Sequence, residues 1–339
     1  MQIIGIRVKD LPPIGETLSR DQMQVLATVP GTSWTRDDVR RKYRKLAERL
    51  GPPAYLVTDG AVELIESADA LEIEEKTPIV LRDMKHYAAN VFEQLIGQDE
   101  RFKEYLSKLG GTRSTVQQTE LSHFTPPPQK PKARFMNLGL VLRWGQMVSY
   151  HLSHHYSRSR RGVTARRMNE KLGWVRGFRS ELNAWNRCQE VLQASLSFIN
   201  RHGVYHGAAA KLKDALDAVR TTHPPDCELS ATMASKLLTF VEASESKLPA
   251  GDRAWLSTEN LESLFGQYKR LEGQHSKGGF TSLIAAMPML LTHWTPDNVR
   301  ESLTAVPVKA MQQWLRDNLA TTLTSKRSTA YQEFAKSSG

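Results

Sequence analysis

The chain has 339 residues, 40% hydrophobic and 24% charged, which excludes disordered, collagen-like and coiled-coil classes and is enough for about two or three domains with real cores. Its 46 Lys and Arg against 36 Asp and Glu leave a net charge of +10, a balance that favours a polyanionic partner such as nucleic acid. Cys188 and Cys227 are too few for a disulfide framework or a Cys-rich zinc site and fit a reducing, cytoplasmic interior, while neither the amino-terminal MQIIGIRVKD nor any later apolar run is long enough for an export signal or a membrane span.

Residues 1–8, with Ile3, Ile4 and Ile6, read as a strand, and residues 22–29 as a weaker one. Thr35 then caps a helix on which Val39, Tyr43, Leu46 and Leu50 fall on one buried stripe. Gly51-Pro52-Pro53 stops that helix. A short apolar run, residues 54–58, ends in Asp59-Gly60, and a short helix over residues 61–68 follows. The pattern repeats with Ile79, Val80 and Leu81 running into Asp83 and then into a long helix carrying Val91, Phe92, Leu95 and Ile96. Strands joined through a helix are normally parallel and right-handed, so Asp59 and Asp83 are expected at one carboxyl edge of a sheet, where ligands of open α/β sheets gather.

From about residue 111 onward the strand signal disappears. Pro126-Pro127-Pro128 with Pro131 reads as a stiff linker or loop. Helical spacing follows near residues 138–155, 178–201, 207–220 and 230–246. Between His151 and Ser180 stand Arg158, Arg160, Arg161, Arg166, Arg167, Lys171, Arg176 and Arg179 against the single acid Glu170. Such a cluster suits a phosphate backbone through counterion release, and Trp174 or Phe178 among them could stack on an unpaired base. The plain alternative for the charge excess is a solvated loop, but the net charge of the whole chain points to nucleic acid as well. His151, His154 and His155 have metal-like spacing but lack Cys or acid partners.

Residues 259–271 form the most informative helix. Leu261, Leu264, Phe265, Tyr268 and Leu271 make one apolar stripe, with Glu262, Gly266 and Lys269 on its margin. The missing side chain at Gly266 would let a bulky ligand approach Glu262, and Lys269 could meet a phosphate; the plain alternative is a surface helix with an incidental Glu. Asp-Gly is a common turn dipeptide and strands often end in a polar residue. Two acids at consecutive strand ends and a third on a distant helix margin exceed what turns require. Converging carboxylates repel unless a cation sits between them, and hard oxygen ligands select Mg²⁺ or Mn²⁺.

Four stretches in order, Tyr55-Leu-Val-Thr-Asp59-Gly60-Ala61, Asp83-Met-Lys-His86, Lys132 to Gly139 with Arg143-Trp144-Gly145, and Glu262-Ser-Leu-Phe-Gly266-Gln-Tyr-Lys269, resemble the DDE transposases of bacterial insertion sequences. The resemblance implies an α+β or α/β fold: a ribonuclease-H-like mixed-sheet core begun by residues 1–110, interrupted by a basic all-α insertion at 111–250, completed by the catalytic-Glu helix within 251–300 and followed by a helical tail at 301–339. It implies that Asp59 and Glu262 bind Mg²⁺ or Mn²⁺ for cleavage and transfer of DNA strands. Asp83 and His86 match an Asp-x-x-His motif and take a supporting role, Lys269 and the basic cluster hold double-stranded DNA, and a homodimer acting on the nucleoid is expected. The family's first Asp has no counterpart on the first strand, where Asp10 is the nearest acid and follows the run. A chain beginning inside its gene would explain this. The resemblance therefore leaves open a DNA-binding remnant without chemistry, and, outside it, a phosphoacceptor domain using Asp59.

Overall fold

The computed structural model describes residues 2–8, 10–19, 22–30, 34–69, 71, 76–129, 134–154, 163–221, 227–274, 287, 289–290, 294–318 and 323–337. In chain order they form β1 (Gln2–Val8), β2 (Met23–Pro30), α1 (Arg36–Leu50), β3 (Tyr55–Thr58), α2 (Val62–Asp69), β4 (Ile79–Arg82), α3 (Met84–Phe92), α4 (Glu100–Val116), α5 (Arg134–Ser153), α6 (Ala165–Leu172) and α7 (Arg179–His202). There follow β5 (Val204–Tyr205), α8 (Ala208–Thr221), α9 (Glu228–Glu245), β6 (Arg253–Ala254), α10 (Glu259–Gln274), α11 (Pro296–Ala305), α12 (Val308–Asn318) and α13 (Leu323–Ser337). The fold is mixed α+β and mostly helical. It divides into two compact units, residues 1–83 with 255–339, and residues 84–254.

In the first unit β1 and β2 pair antiparallel, with a register irregularity between Gly5 and Ile6. Thr35 and Asp38 close a reciprocal capping box at the start of α1, satisfying orphan N–H groups of the first turn. Gly51 ends the helix at φ 83°, a conformation that favours glycine. Val39 and Ala47 on α1 are buried, and the Ser67 hydroxyl of α2 donates to the Arg36 carbonyl at 2.8 Å. The strands β3 and β4 pair in parallel, Tyr55 opposite Ile79 and Thr58 opposite Arg82, with α2 in the crossover between them. The α10 stripe buries Leu264 and Tyr268, as its periodicity requires. Among the described residues β1–β2 and β3–β4 are separate two-stranded sheets, where the sequence led to one mixed sheet.

The second unit is built around α7, which packs against α5, α8 and α9. Phe102 and Tyr105 of α4 meet Trp185 of α7 with ring centroids 5.0 and 5.6 Å apart, and Tyr105 meets Phe178 at 5.5 Å. This aromatic packing draws α3 and α4 into the helical unit, so the division falls at Asp83/Met84 and not near residue 110. The triple-proline stretch lies inside that unit and separates nothing. Arg113 donates to the Pro126 carbonyl, and the Trp144 indole N–H donates to the Phe124 carbonyl at 2.8 Å. At Gly145 an added Cβ would stand 2.5 Å from the Tyr105 hydroxyl and 2.7 Å from Leu182 Cδ2, so the motif glycine permits a close helix approach.

Candidate functional site

The parallel register places Asp59 and Asp83 next to one another at the carboxyl ends of β3 and β4, and the Asp83 N–H donates to the Thr58 carbonyl at 2.8 Å. Their side chains serve different ends. Asp59 is exposed and accepts the Ala61 N–H at 3.0 Å on Oδ1, which is the local turn bond an Asx residue makes. Gly60 takes φ 96°, and a Cβ there would lie 3.1 Å from Arg82 Nη2. Glycine is therefore needed twice over, for the backbone conformation and for room beneath the guanidinium.

Asp83 is only 1% exposed. Its Oδ2 accepts the Thr258 hydroxyl at 2.8 Å and also the Thr258 backbone N–H. Thr258 is the residue before α10, and its carbonyl accepts the Glu262 N–H at 3.1 Å. A carboxylate that holds the residue capping a helix satisfies donors otherwise orphaned there, and its negative charge suits the positive end of the helix dipole. The first turn of α10 is thus fastened to the strand end. Glu262 lies one helical turn from the fastening, half-buried, whereas Glu259 is exposed. Gly266 has open space where a Cβ would go, and Lys269 is exposed.

Two further groups at this edge escaped the sequence reading. The Thr58 side chain is buried, and its Oγ1 finds no hydrogen-bond partner among the described residues, the kind of orphan that a bound water or ligand explains. Tyr43 of α1 feels the Asp59 carboxylate; burial first, and that charge second, push its hydroxyl up to about 12. Its period on α1 marked it only as core.

Hard oxygen donors such as Asp59, Glu262 and the Thr58 hydroxyl match the chemistry of Mg²⁺ or Mn²⁺. Their number is short, however: among the described residues no three His, Cys, Asp or Glu side chains converge on a metal position, and Asp83 is committed to Thr258. His86 lies in the first turn of α3, within the helical unit, and is half-buried.

The basic cluster sorts differently from its sequence reading. Arg158, Arg160 and Arg161 lie outside the described residues. Arg167 is held by Glu120 at 3.0 Å and Glu170 at 2.9 Å. Arg176 donates to Asn169 at 2.6 Å and to the Leu152 carbonyl at 2.8 Å, tying the end of α5 to the turns before α7. Both are structural cations. Lys171 is half-buried with Glu170 at 3.8 Å, and Arg166 and Arg179 are exposed. The aromatics expected to stack on bases are core residues. Phe178 is 1% exposed, and the half-buried Trp174 spends its N–H on Thr112 Oγ1 at 2.9 Å. Of the neighbouring histidines, His154 stacks on Tyr150 and His151 packs edge-on against Phe124, while His155 lies outside the described residues. Burial, then the neighbouring His123 and His154, lower the His151 pKa.

Among the described residues no helix is long and apolar enough to cross a membrane. No protein-family model matches the chain, and no curated protein matches it significantly.

Proposed function

We propose that the chain is a DDE-type transposase that cleaves and transfers DNA strands, with a ribonuclease-H-like core, Asp59 and Glu262 as its metal-holding carboxylates and double-stranded DNA, at transposon ends and target, as its substrate. The observation that carries this reading is the Asp83–Thr258 fastening, which supports bringing the start of the Glu262 helix to the strand edge from which Asp59 emerges. Mg²⁺ or Mn²⁺, when bound, supplies activation of the attacking oxygen and relief of charge on the leaving one. Asp83 then acts as a positioning residue through Thr258. Arg82, over Gly60, and the exposed Lys269 contribute positive charge for phosphate in the first unit, and Arg166, Lys171 and Arg179 do so on the helical unit. A homodimer acting on the nucleoid completes the proposal.

A strand-nicking assay on transposon-end DNA with Mn²⁺ tests it. Activity is expected in the native chain and its loss in Asp59→Asn and Glu262→Gln; full activity in either variant overturns the assignment. A second reading, a DNA-binding remnant without chemistry, draws support from the finding that among the described residues no three acidic, His or Cys side chains converge, and from the first strand's lack of an acid. It is the better one if binding falls with salt, ignores Mg²⁺ and yields no nicks.

A further inference from the structure

Two helix faces in the second unit flank a half-open cavity. Gln146, Ser149, Tyr150 and Ser153 recur on α5 at i, i+3, i+4 and i+7, and Arg179 and Asn183 at i and i+4 on α7; these faces line a cavity of about 250 Å³, opposite residues meeting because such spacings share one side of a helix. Its floor is the buried Leu182, and its wall carries an unusual residue for a surface, Tyr150, 58% exposed and stacked on His154 with centroids 4.1 Å apart at 25°. Among the described residues no hydrogen bond or ion pair engages the side chains of Gln146, Arg179 or Asn183. The cavity therefore offers a planar aromatic surface, an uncompensated guanidinium and two amides with free donors and acceptors. It is about 250 Å³ and half-open to solvent, at the small end of ligand sites, so one nucleotide unit would fill it and reach the solvent.

We infer that this α5–α7 cavity binds a single unpaired nucleotide, with its phosphate on Arg179, its base against the Tyr150–His154 stack and its edge read by Asn183 and Gln146. The aromatic–base contact expected of Trp174 or Phe178 is thereby transferred to Tyr150, which is the exposed ring beside the basic residues. An Arg pairs with phosphate oxygens in a bidentate manner, and base stacking on an aromatic tolerates any base. The inference rests on the proposed DNA function and names a subsite for it. The nucleotide could belong to a strand or be free; both share this chemistry.

The test is fluorescence anisotropy of the full chain with three probes: labelled oligo-dT, a fully paired duplex of the same length, and 5′-dTMP as competitor. Tyr150→Leu is expected to weaken oligo-dT binding about tenfold, the order of one lost stacked base, and to leave duplex binding unchanged. Arg179→Gln should weaken oligo-dT as well, whereas the exposed Arg166→Gln should lower oligo-dT and duplex binding equally and slightly. Competition by 5′-dTMP at micromolar concentrations assigns the site to a free nucleotide, and competition only by oligonucleotides assigns it to a strand; either supports the cavity. Unchanged oligo-dT binding in Tyr150→Leu, with native circular dichroism and intact duplex binding, overturns the inference while leaving the transposase reading standing. Loss of all DNA binding in the native chain overturns both.

Discussion

Tyr43 and Asp59 are neighbours whose coupling is measurable by absorbance. An unfolded tyrosine loses its proton near 10, the folded Tyr43 near 12. Between those pH values the unfolded chain binds fewer protons than the folded one, so the contribution is complete below about pH 10 and is lost as pH rises toward 12. Burial also raises Tyr105 and Tyr268, so titration at 295 nm should show several late tyrosines, of which one component is lost in Tyr43→Phe. The midpoint of that component should fall in Asp59→Asn while staying above the ordinary value, because burial is the larger cause. An unmoved midpoint in Asp59→Asn would separate the two residues. Asp83 gives a second residue-scale prediction. Asp83→Ala leaves the Thr258 N–H and hydroxyl buried without their acceptor, a loss of about 1–3 kcal/mol in urea denaturation, and Asp83→Asn, which keeps an acceptor oxygen, should lose less. Equal stability of Asp83→Ala and the native chain would remove the fastening from the account.

Helices differ in what their glycines do, and substitution separates the cases. Gly145 in α5 has Tyr105 and Leu182 where a Cβ would go, whereas Gly111 in α4 and Gly266 in α10 have open space. Gly145→Ala is expected to cost about 1–3 kcal/mol by overpacking, and to disturb the bond from the Tyr105 hydroxyl to the Val141 carbonyl, 2.9 Å long. Gly111→Ala should instead gain about 0.5–1 kcal/mol from helix propensity alone. Thermal unfolding of both variants checks the contrast, and a destabilised Gly111→Ala would refute it. Periodicity and caps made much of this element level legible: Thr35, Val39, the ends of β3 and β4 and the α10 stripe follow from spacing and turn residues, whereas Leu50, expected on the buried stripe of α1, is 41% exposed and Ala47 is buried instead. The rest depended on partners that spacing does not specify. Phe178 sits among arginines in sequence and yet is buried against Tyr105; Tyr150 lies in an apolar stretch and yet is exposed. The Asp83–Thr258 bond spans 175 positions, a separation over which no local pattern carries information.

At the scale of the whole molecule, the charge of +10 makes salt the first variable of any DNA complex. The logarithm of the binding constant should fall linearly with the logarithm of salt concentration, at about 0.9 per phosphate neutralised on duplex DNA, and a flat dependence would remove electrostatics from the proposed function. The division of the chain gives a more structural expectation. Residues 84–254 are continuous and hold their own core, with Tyr105, Phe178 and Trp185 each at most 1% exposed, which satisfies what an independently folding domain needs. The other unit is discontinuous, because Asp83 ends its first segment and Thr258 opens the helix of its second. A fragment of residues 84–254 should therefore fold alone, with strong helical circular dichroism and one cooperative urea transition. Residues 1–83 expressed alone should not, since Asp83 would be left without Thr258 and the α10 stripe would be missing; adding residues 255–339 in trans should restore a cooperative transition. A non-cooperative 84–254 fragment, or a stably folded 1–83 fragment, would mean that the two cores do not form as separate units.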